Sequence, residues 1–141
     1  MFRTRTLVAG LLGVALFVIS LLYDAADTAE LSIQFDLGSI GQSVYEAHQR
    51  NGKWPARIAD LAGTEYLNMP HRKELLEKGN FVVVWQQDLD PNPQKNRNRV
   101  LAYDNRSLLS RFSTVWTVRG DLRVESMDRD ELNTLLKAAA N

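Results

Sequence analysis

The sequence predicts an α+β fold: a long N-terminal helix, membrane-spanning and then amphipathic, packed on a small antiparallel sheet of about four strands, with a C-terminal helix. Three observations predict it. An apolar block without charge stands near the start, a segment of helical period follows it, and strand-like segments come only after residue 80. Strands that follow helices in one run, without alternating with them, are typical of α+β domains. A chain of 141 residues fits one such domain.

The apolar block "LVAGLLGVALFVISLLY", residues 7–23, contains no charged residue. At the usual rise it forms about 26 Å of helix, the short end of a membrane span. Arg3 and Arg5 precede it, so the positive-inside rule places the N-terminus in the cytoplasm. We therefore predict a cytoplasmic stub and transmembrane anchor over residues 1–23. A domain over residues 24–141 would lie outside the cytoplasmic membrane.

Two alternatives to the anchor stay open. A cleavable signal sequence has the same charge plan, and "YDAADTAEL" offers alanines for cleavage, although acidic residues break the best frames. A buried soluble helix would normally keep a polar stripe, whereas this block has only Ser20 and Tyr23. The start of the mature chain separates an anchor from a cleaved signal.

An amphipathic helix is predicted next, because five apolar residues repeat at steps of four and three and share one helical face. They are Ile33, Leu37, Ile40, Val44 and Ala47. Nothing between this segment and the apolar block breaks a helix, so one helix from about residue 5 to about residue 50 is predicted. The alternative is two helices with a hinge over residues 24–28.

The stretch "NGKWPARIADLAG", residues 51–63, ends that helix. Gly52 suits a helix C-cap, and Pro55 does not continue the same helix. "ARIADLA" then predicts a short helix with Ile58, Leu61 and Ala62 facing inward. "PHRKELLEKGN", residues 70–80, predicts one or two further helical turns.

The remaining chain predicts the sheet and the last helix. Strands are predicted over residues 81–87 and 99–105, separated by the polar loop "DLDPNPQKNRN". Residues 113–126 alternate as a hairpin that turns at Gly120. "DRDELNTLLKAAA" predicts a helix, with Asp128 and Glu131 in capping-box spacing.

This order of elements, with "NGKWPARIADL" directly after the long helix, resembles type IV pilin-like proteins, nearest the pseudopilins of type II secretion. "RVLAYDN" and "VWTVRGDLRVES" stand where such domains carry their late strands. The resemblance implies a pilin-like fold and a role in protein transport. The prepilin peptidase motif of the family is absent, since the helix begins "RTRTLVAGLLG". The expectation is therefore a pilin-like domain on a permanent anchor.

Composition excludes several functions. Basic and acidic residues balance at 17 each, and no basic stripe points to nucleic acid. The chain has no cysteine, which removes disulfides, thiol catalysis and thiolate zinc sites. No nucleophile elbow, phosphate loop or dinucleotide fingerprint occurs, so we predict no enzyme and no cofactor.

Three weak motifs have simpler structural interpretations. Asp88, Asp90 and Asn92 match the start of a calcium loop, but Pro93 and Arg99 stand where the pattern needs glycine and glutamate. "RGD" is predicted to be a hairpin turn. The two histidines, His48 and His71, are too far apart in the chain to indicate a metal site.

The three tryptophans, Trp54, Trp85 and Trp116, are the candidate ligand or partner surface. The first functional hypothesis is a non-enzymatic, membrane-anchored protein with a structural or assembly role in a secretion or envelope complex. Its partners would be the lipid bilayer, other proteins and possible copies of itself. The alternative is a membrane-tethered module that binds a ligand or peptide at the tryptophans.

Overall fold

The computed structural model describes the backbone of residues 3–106 and 114–139. Within residues 3–26, the side chains it describes are those of Val18, Ser20 and Leu21. In these ranges the fold is α+β, as predicted, with three α-helices and one four-stranded antiparallel sheet. The helices are α1 (Arg3–Asn51), α2 (Pro70–Glu77) and α3 (Arg129–Ala139). The strands are β1 (Phe81–Val83), β2 (Val100–Asp104), β3 (Thr114–Arg119) and β4 (Val124–Asp128).

Helix α1 includes residues 24–28, where the two-helix alternative placed a hinge. The chain divides into two compact units, Met1–Ser32 and Ile33–Asn141. Among the residues described, no helix has both the length and the hydropathy that crossing a membrane requires. Most side chains of the predicted anchor, residues 7–23, lie outside the described residues, as do those of Ala25 and Ala26 in the alternative cleavage region. The anchor stays a prediction.

The second unit is organised around the predicted apolar stripe of α1. All five stripe residues are buried, with at most 4% of any of them exposed. They join one core cluster with side chains of the first three strands, including Phe81, Leu101 and Val118. The strands follow one another in the order β1-β2-β3-β4, each antiparallel to the next. The helical period predicted from sequence therefore selects the face of α1 that meets the sheet.

Helix α1 approaches the sheet closely at Gly41. A Cβ atom at this position would lie 2.8 Å from Cγ2 of Val118 and 3.3 Å from Cδ2 of Leu122. Leu122 has φ 68°, a conformation in which few residues other than glycine are found. It is partly buried against the main core, so its packing offsets the backbone strain. Gly38, one turn earlier, has ordinary space, since its Cβ would lie 3.7 Å from Val124 Cγ2.

Helix α3 packs against strand residues that do not belong to the main core cluster. Leu132 shares a second buried cluster with Val100, Val115 and Met127. The predicted cap of α3 is partly right, because Asp128 Oδ1 accepts a hydrogen bond from the N–H of Asp130 at 2.9 Å. The capping box is not completed. Glu131 instead accepts from Nη2 of Arg119 at 3.1 Å, and the nearly buried Arg119 also binds Glu125.

The first strand is shorter than predicted. The prediction ran over residues 81–87, but β1 ends at Val83. The side-chain amide of Gln87 donates to the carbonyls of Val84 and Val100, at 2.9 and 2.7 Å. Gln86 has φ 60°, which turns the chain out of the extended conformation. A side chain thus occupies carbonyls that a longer strand would have used.

The corner after α1 forms as predicted at its start. Gly52 has φ 68°, and its N–H donates to the carbonyl of His48 at 2.8 Å, which closes the helix. The following turn is a 3-10 helix, Ile58–Leu61, that buries Leu61. Ile58 is half-buried, and Ala62, predicted to face inward, is exposed. The reason is that the short 3-10 turn ends at Leu61, so Ala62 lies beyond its inward face.

A buried tyrosine of α1 joins the polar loop and the hairpin turn. The hydroxyl of Tyr45 donates to the carbonyl of Gly120 at 2.6 Å and accepts from Nδ2 of Asn96 at 2.7 Å. Asn96 also donates to the carbonyl of Asp90 and accepts from its N–H, at 2.7 and 3.0 Å. These bonds link segments that are distant in sequence, and they hold the long loop, whose one regular element is the 3-10 turn Pro93–Asn96, against α1.

The two glycines of α1 provide a matched test of its packing. We expect Gly38→Ala to stabilise the fold by about 0.5–1 kcal/mol, because alanine favours the helix and has room. Gly41→Ala should destabilise it by roughly 1–3 kcal/mol, since the added methyl overlaps Val118. Guanidinium denaturation of the full chain in detergent, followed by tryptophan fluorescence, measures both. Equal effects of the two substitutions would contradict the close approach at Gly41.

The Tyr45 hydroxyl is tested by Tyr45→Phe, which keeps the ring and removes both hydrogen bonds. The expected loss is about 1–3 kcal/mol in free energy of unfolding, because Asn96 and the Gly120 carbonyl lose a buried partner. Tyr103→Phe, at a half-buried tyrosine on β2, is the control and should change stability by less than about 0.5 kcal/mol. Similar values for the two variants in urea denaturation would show that Tyr45 does not hold the loop.

Candidate functional site

A cleft of about 350 Å³ lies between α1 and the segment that leads into α2. We call it the α1–α2 cleft. Helix α1 lines it from Phe35 to Glu46, and the opposite side extends from Glu65 to Arg72. The lining residues are Phe35, Ser39, Gln42, Ser43, Glu46, Glu65, Tyr66, Asn68, Met69 and Arg72. Two other cavities occur among the described residues, one of about 200 Å³ beside β1 and one of about 360 Å³ between α3 and the start of β2.

Arg72 is the most unusual residue of the cleft, because only 9% of its side chain is exposed. Its guanidinium carbon lies 5.2 Å from the ring centroids of both Phe35 and Tyr66. Such cation–π contacts hold a guanidinium in place when it is removed from water. The nearest charge is Asp36, whose Oδ1 lies 3.7 Å from Arg72 Nε, a distance too long for a hydrogen bond.

Two buried polar atoms at the cleft lack a hydrogen-bond partner. They are Nε of Arg72 and the hydroxyl of Tyr66, a residue with no exposed surface. Such groups are rare, because an unpaired buried donor costs about 1–3 kcal/mol. The backbone of the tyrosine is held, since its N–H donates to Oγ of Ser43 at 3.3 Å. The site therefore keeps unused hydrogen-bonding capacity in a fixed position.

Burial changes the ionisation of the groups around Arg72. Burial raises the pKa of the Asp36 carboxyl, an effect that the positive charges of Arg72, Arg106 and His71 oppose. Burial, followed by the charge of Asp36, also raises the pKa of the Tyr66 hydroxyl. The tyrosine is therefore neutral at physiological pH and acts as a hydrogen-bond donor or acceptor without charge.

The mouth of the cleft combines apolar and acidic residues. Phe35 and Met69 are exposed by 64% and 48%, which is high for large apolar side chains. Glu46 and Glu65 line the cleft as well, and Glu46 Oε2 accepts from the N–H of Glu65 at 3.1 Å. The cleft thus presents one buried cation, two carboxylates and an apolar rim.

The predicted tryptophan surface is divided among different surroundings. Trp54 stacks on His48, with ring centroids 3.8 Å apart, and meets Tyr45 edge-on at 5.2 Å. Trp85 lines the smaller cavity beside β1, and Trp116 lies on β3. All three are partly buried against the main core. Among the described residues, the ring contacts of tryptophan involve Trp54 only, and the binding role of the three stays a prediction.

The weak motifs of the sequence have structural partners. In the calcium-like loop, Asp90 accepts from the N–H of Asn92 at 2.8 Å and pairs with Lys95 at 3.1 Å. No group of three or more potential metal-ligating side chains occurs within residues that are described. The RGD stretch does form the predicted hairpin turn, in which Asp121 pairs with Arg123 at 2.7 Å.

Comparisons of the chain with protein-family models, with curated proteins and with solved structures find no match. The resemblance to pilin-like proteins therefore depends on the quoted residues and the order of elements.

The sequence alone did not indicate the cleft. Its walls come from two segments about 20 or more residues apart, and Arg72 stands in a run of charged residues that predicts exposure. The one available signal was the phase of α1, since Asp36 adjoins Leu37 of the buried stripe. A charged residue beside a core position suggests a buried counter-ion, but the pattern does not name it.

The raised pKa of Asp36 predicts a pH dependence. A carboxyl whose folded pKa lies above its ordinary value, 3.8, binds protons more strongly in the folded state. The contribution of Asp36 to stability is therefore greatest below pH 3.8 and declines as pH rises through the folded pKa. Relative to Asp36→Asn, the unsubstituted protein should lose stability over this range and then reach a plateau.

Asp60→Asn is the control of opposite sign. The N–H of Ala56 donates to Asp60 and lowers the pKa of its carboxyl, so its contribution should be lost as pH falls. Urea denaturation of the three proteins between about pH 3 and pH 7 measures both trends. If the Asp36 difference rose with pH as the Asp60 difference does, the effect of burial on Asp36 would be wrong.

Proposed function

We propose that this protein is a non-enzymatic, membrane-anchored protein with a pilin-like domain, and that its role is structural or assembly-related in a secretion or envelope complex. The domain would lie outside the cytoplasmic membrane, with the N-terminus inside. Protein partners, including possible copies of the chain, would meet it through the N-terminal helix and the face of the sheet.

The main observation in support is the exposure of apolar side chains in the first unit. Val18, Leu21 and Leu31 are exposed by 47%, 52% and 65%. Exposed apolar side chains of this size indicate a surface that contacts lipid or another protein. The uncharged block over residues 7–23 and the two preceding arginines favour lipid for the first part of the helix.

The second unit supports the pilin-like part of the proposal. A helix followed by a capped corner and a sheet of consecutive antiparallel strands is the order that the family resemblance implies. The corner at Gly52 is the segment that carries the resemblance, and it closes the helix there. The alternative function, a tethered ligand-binding module, is favoured by the α1–α2 cleft and its buried arginine.

Membrane fractionation with N-terminal sequencing tests the anchor. The full chain, tagged at its C-terminus and produced in bacterial cells, should remain in the membrane after a carbonate wash and keep its original N-terminus. An otherwise identical chain with Leu11→Arg and Leu16→Arg should leave the membrane fraction, because each charge at the centre of a span costs about 2.5–3.5 kcal/mol. A soluble mature chain that begins near Ala26 or Ala29 would overturn the anchor.

Cysteine cross-linking tests the assembly role. Because the chain has no native cysteine, thiol cross-links can form only at an introduced cysteine. Leu21→Cys, on the exposed apolar part of the helix, should give a discrete cross-linked species in isolated membranes. Gln94→Cys, on the exposed loop before β2, is the control and should stay monomeric. Equal cross-linking at both positions would indicate random collision and argue against an ordered assembly.

A further inference from the structure

We propose that the α1–α2 cleft binds a carboxylate presented by a peptide, with Arg72 as the residue that recognises it. This goes beyond the structural role proposed above, because it assigns a ligand to a specific site. The carboxylate is either a free C-terminus or an acidic side chain.

Arg72 keeps a hydrogen-bond donor available in the cleft. It lines a cleft of about 350 Å³, yet its Nε forms no hydrogen bond, and its nearest carboxylate oxygen is 3.7 Å away. A guanidinium has five N–H donors arranged as a planar fork that suits a carboxylate. The rings of Phe35 and Tyr66 hold this fork in place, so a ligand would bind a prepared cation.

The neighbouring tyrosine offers a second polar group. Tyr66 has no exposed surface, lines the same cleft and keeps its hydroxyl unpaired. A carboxylate has about four acceptor positions on its two oxygens, and one edge of a guanidinium does not occupy them all. A remaining position could accept a hydrogen bond from the Tyr66 hydroxyl. One cleft therefore holds two buried side chains that each keep a polar atom without a hydrogen-bond partner, which a single surface arginine would not provide.

The mouth of the cleft suits a peptide carboxylate better than a small inorganic anion. Phe35 and Met69 place exposed apolar surface at the mouth, which suits an apolar side chain next to the carboxylate. Glu46 and Glu65 repel an anion of higher charge, such as phosphate, more strongly than a carboxylate, which has a single negative charge. The volume is at the lower end of that of small-molecule sites.

Asp36 modulates the site. Its carboxylate competes for Arg72 from 3.7 Å and reduces the positive potential that a ligand meets. Removal of this charge should therefore strengthen ligand binding, whereas removal of the charge of Arg72 should weaken it. A purely structural ion pair would not produce opposite changes in affinity.

Methionine methyl groups give a direct measurement. The chain has three methionines, of which Met69 is at the mouth of the cleft and Met127 is buried in the second core cluster. In the full chain in detergent with labelled methionine methyls, N-acetyl-leucine should shift the Met69 signal and leave Met127 unchanged. N-acetyl-leucinamide, its neutral counterpart, should shift neither. N-acetyl-glutamate α-amide tests the acidic side chain as the source.

The variants decide the assignment. Arg72→Gln should weaken binding by about tenfold or more, because a charge-assisted hydrogen bond is lost. Arg123→Gln, at an exposed arginine of the hairpin, is the control and should bind like the unsubstituted protein. Asp36→Asn should bind about threefold more tightly at neutral pH.

Each outcome bears on the proposal. Binding of the leucine acid alone assigns a free C-terminus, and binding of the glutamate amide assigns an acidic side chain. An unchanged Met127 signal verifies that Arg72→Gln is folded; if it is not, the Asp36→Asn result decides. The proposal is overturned if neither acid binds, if the leucinamide binds equally, or if Asp36→Asn does not increase affinity.

Discussion

The contact between the apolar stripe of α1 and the sheet is the interaction on which the second unit depends. The five stripe residues share one core with side chains of β1, β2 and β3. Because Gly41 has no side chain, the helix approaches the sheet so closely that Val118 occupies the space that a Cβ methyl group would need. Because cores are packed at near-crystalline density, this approach determines where every other segment can lie.

Two polar connections then join separate parts of the second unit. Tyr45 joins the loop before β2 to the hairpin turn after β3, through Asn96 and the Gly120 carbonyl. Arg119 joins β3 to β4 and α3 through Glu125 and Glu131. The residues of the calcium-like and RGD motifs lie in these connected segments. Their polar character is therefore explained by loop and turn geometry, as the sequence predicted.

The α1–α2 cleft differs from these connections because its polar groups are not all satisfied. Tyr45 uses its hydroxyl twice, whereas the buried hydroxyl of Tyr66 has no partner. This unpaired hydroxyl lies in the same cleft as Arg72, whose Nε also lacks a hydrogen bond, and the proposed carboxylate site depends on this combination. The cleft also adjoins α1, the element that the proposed anchor continues.

The sequence by itself determined the fold class, the buried face of α1, the hairpin of the last two strands and the helix end at Gly52. These features follow from local period and backbone preference, which neighbouring residues encode. Only the tertiary structure decided where β1 ends, since Gln87 captures carbonyls of two separate segments. It also decided the cleft, because Phe35, Tyr66 and Arg72 are brought together by folding and share no sequence pattern. Secondary structure depends on the spacing of neighbouring residues, whereas a site formed by distant segments exists only after the core has packed.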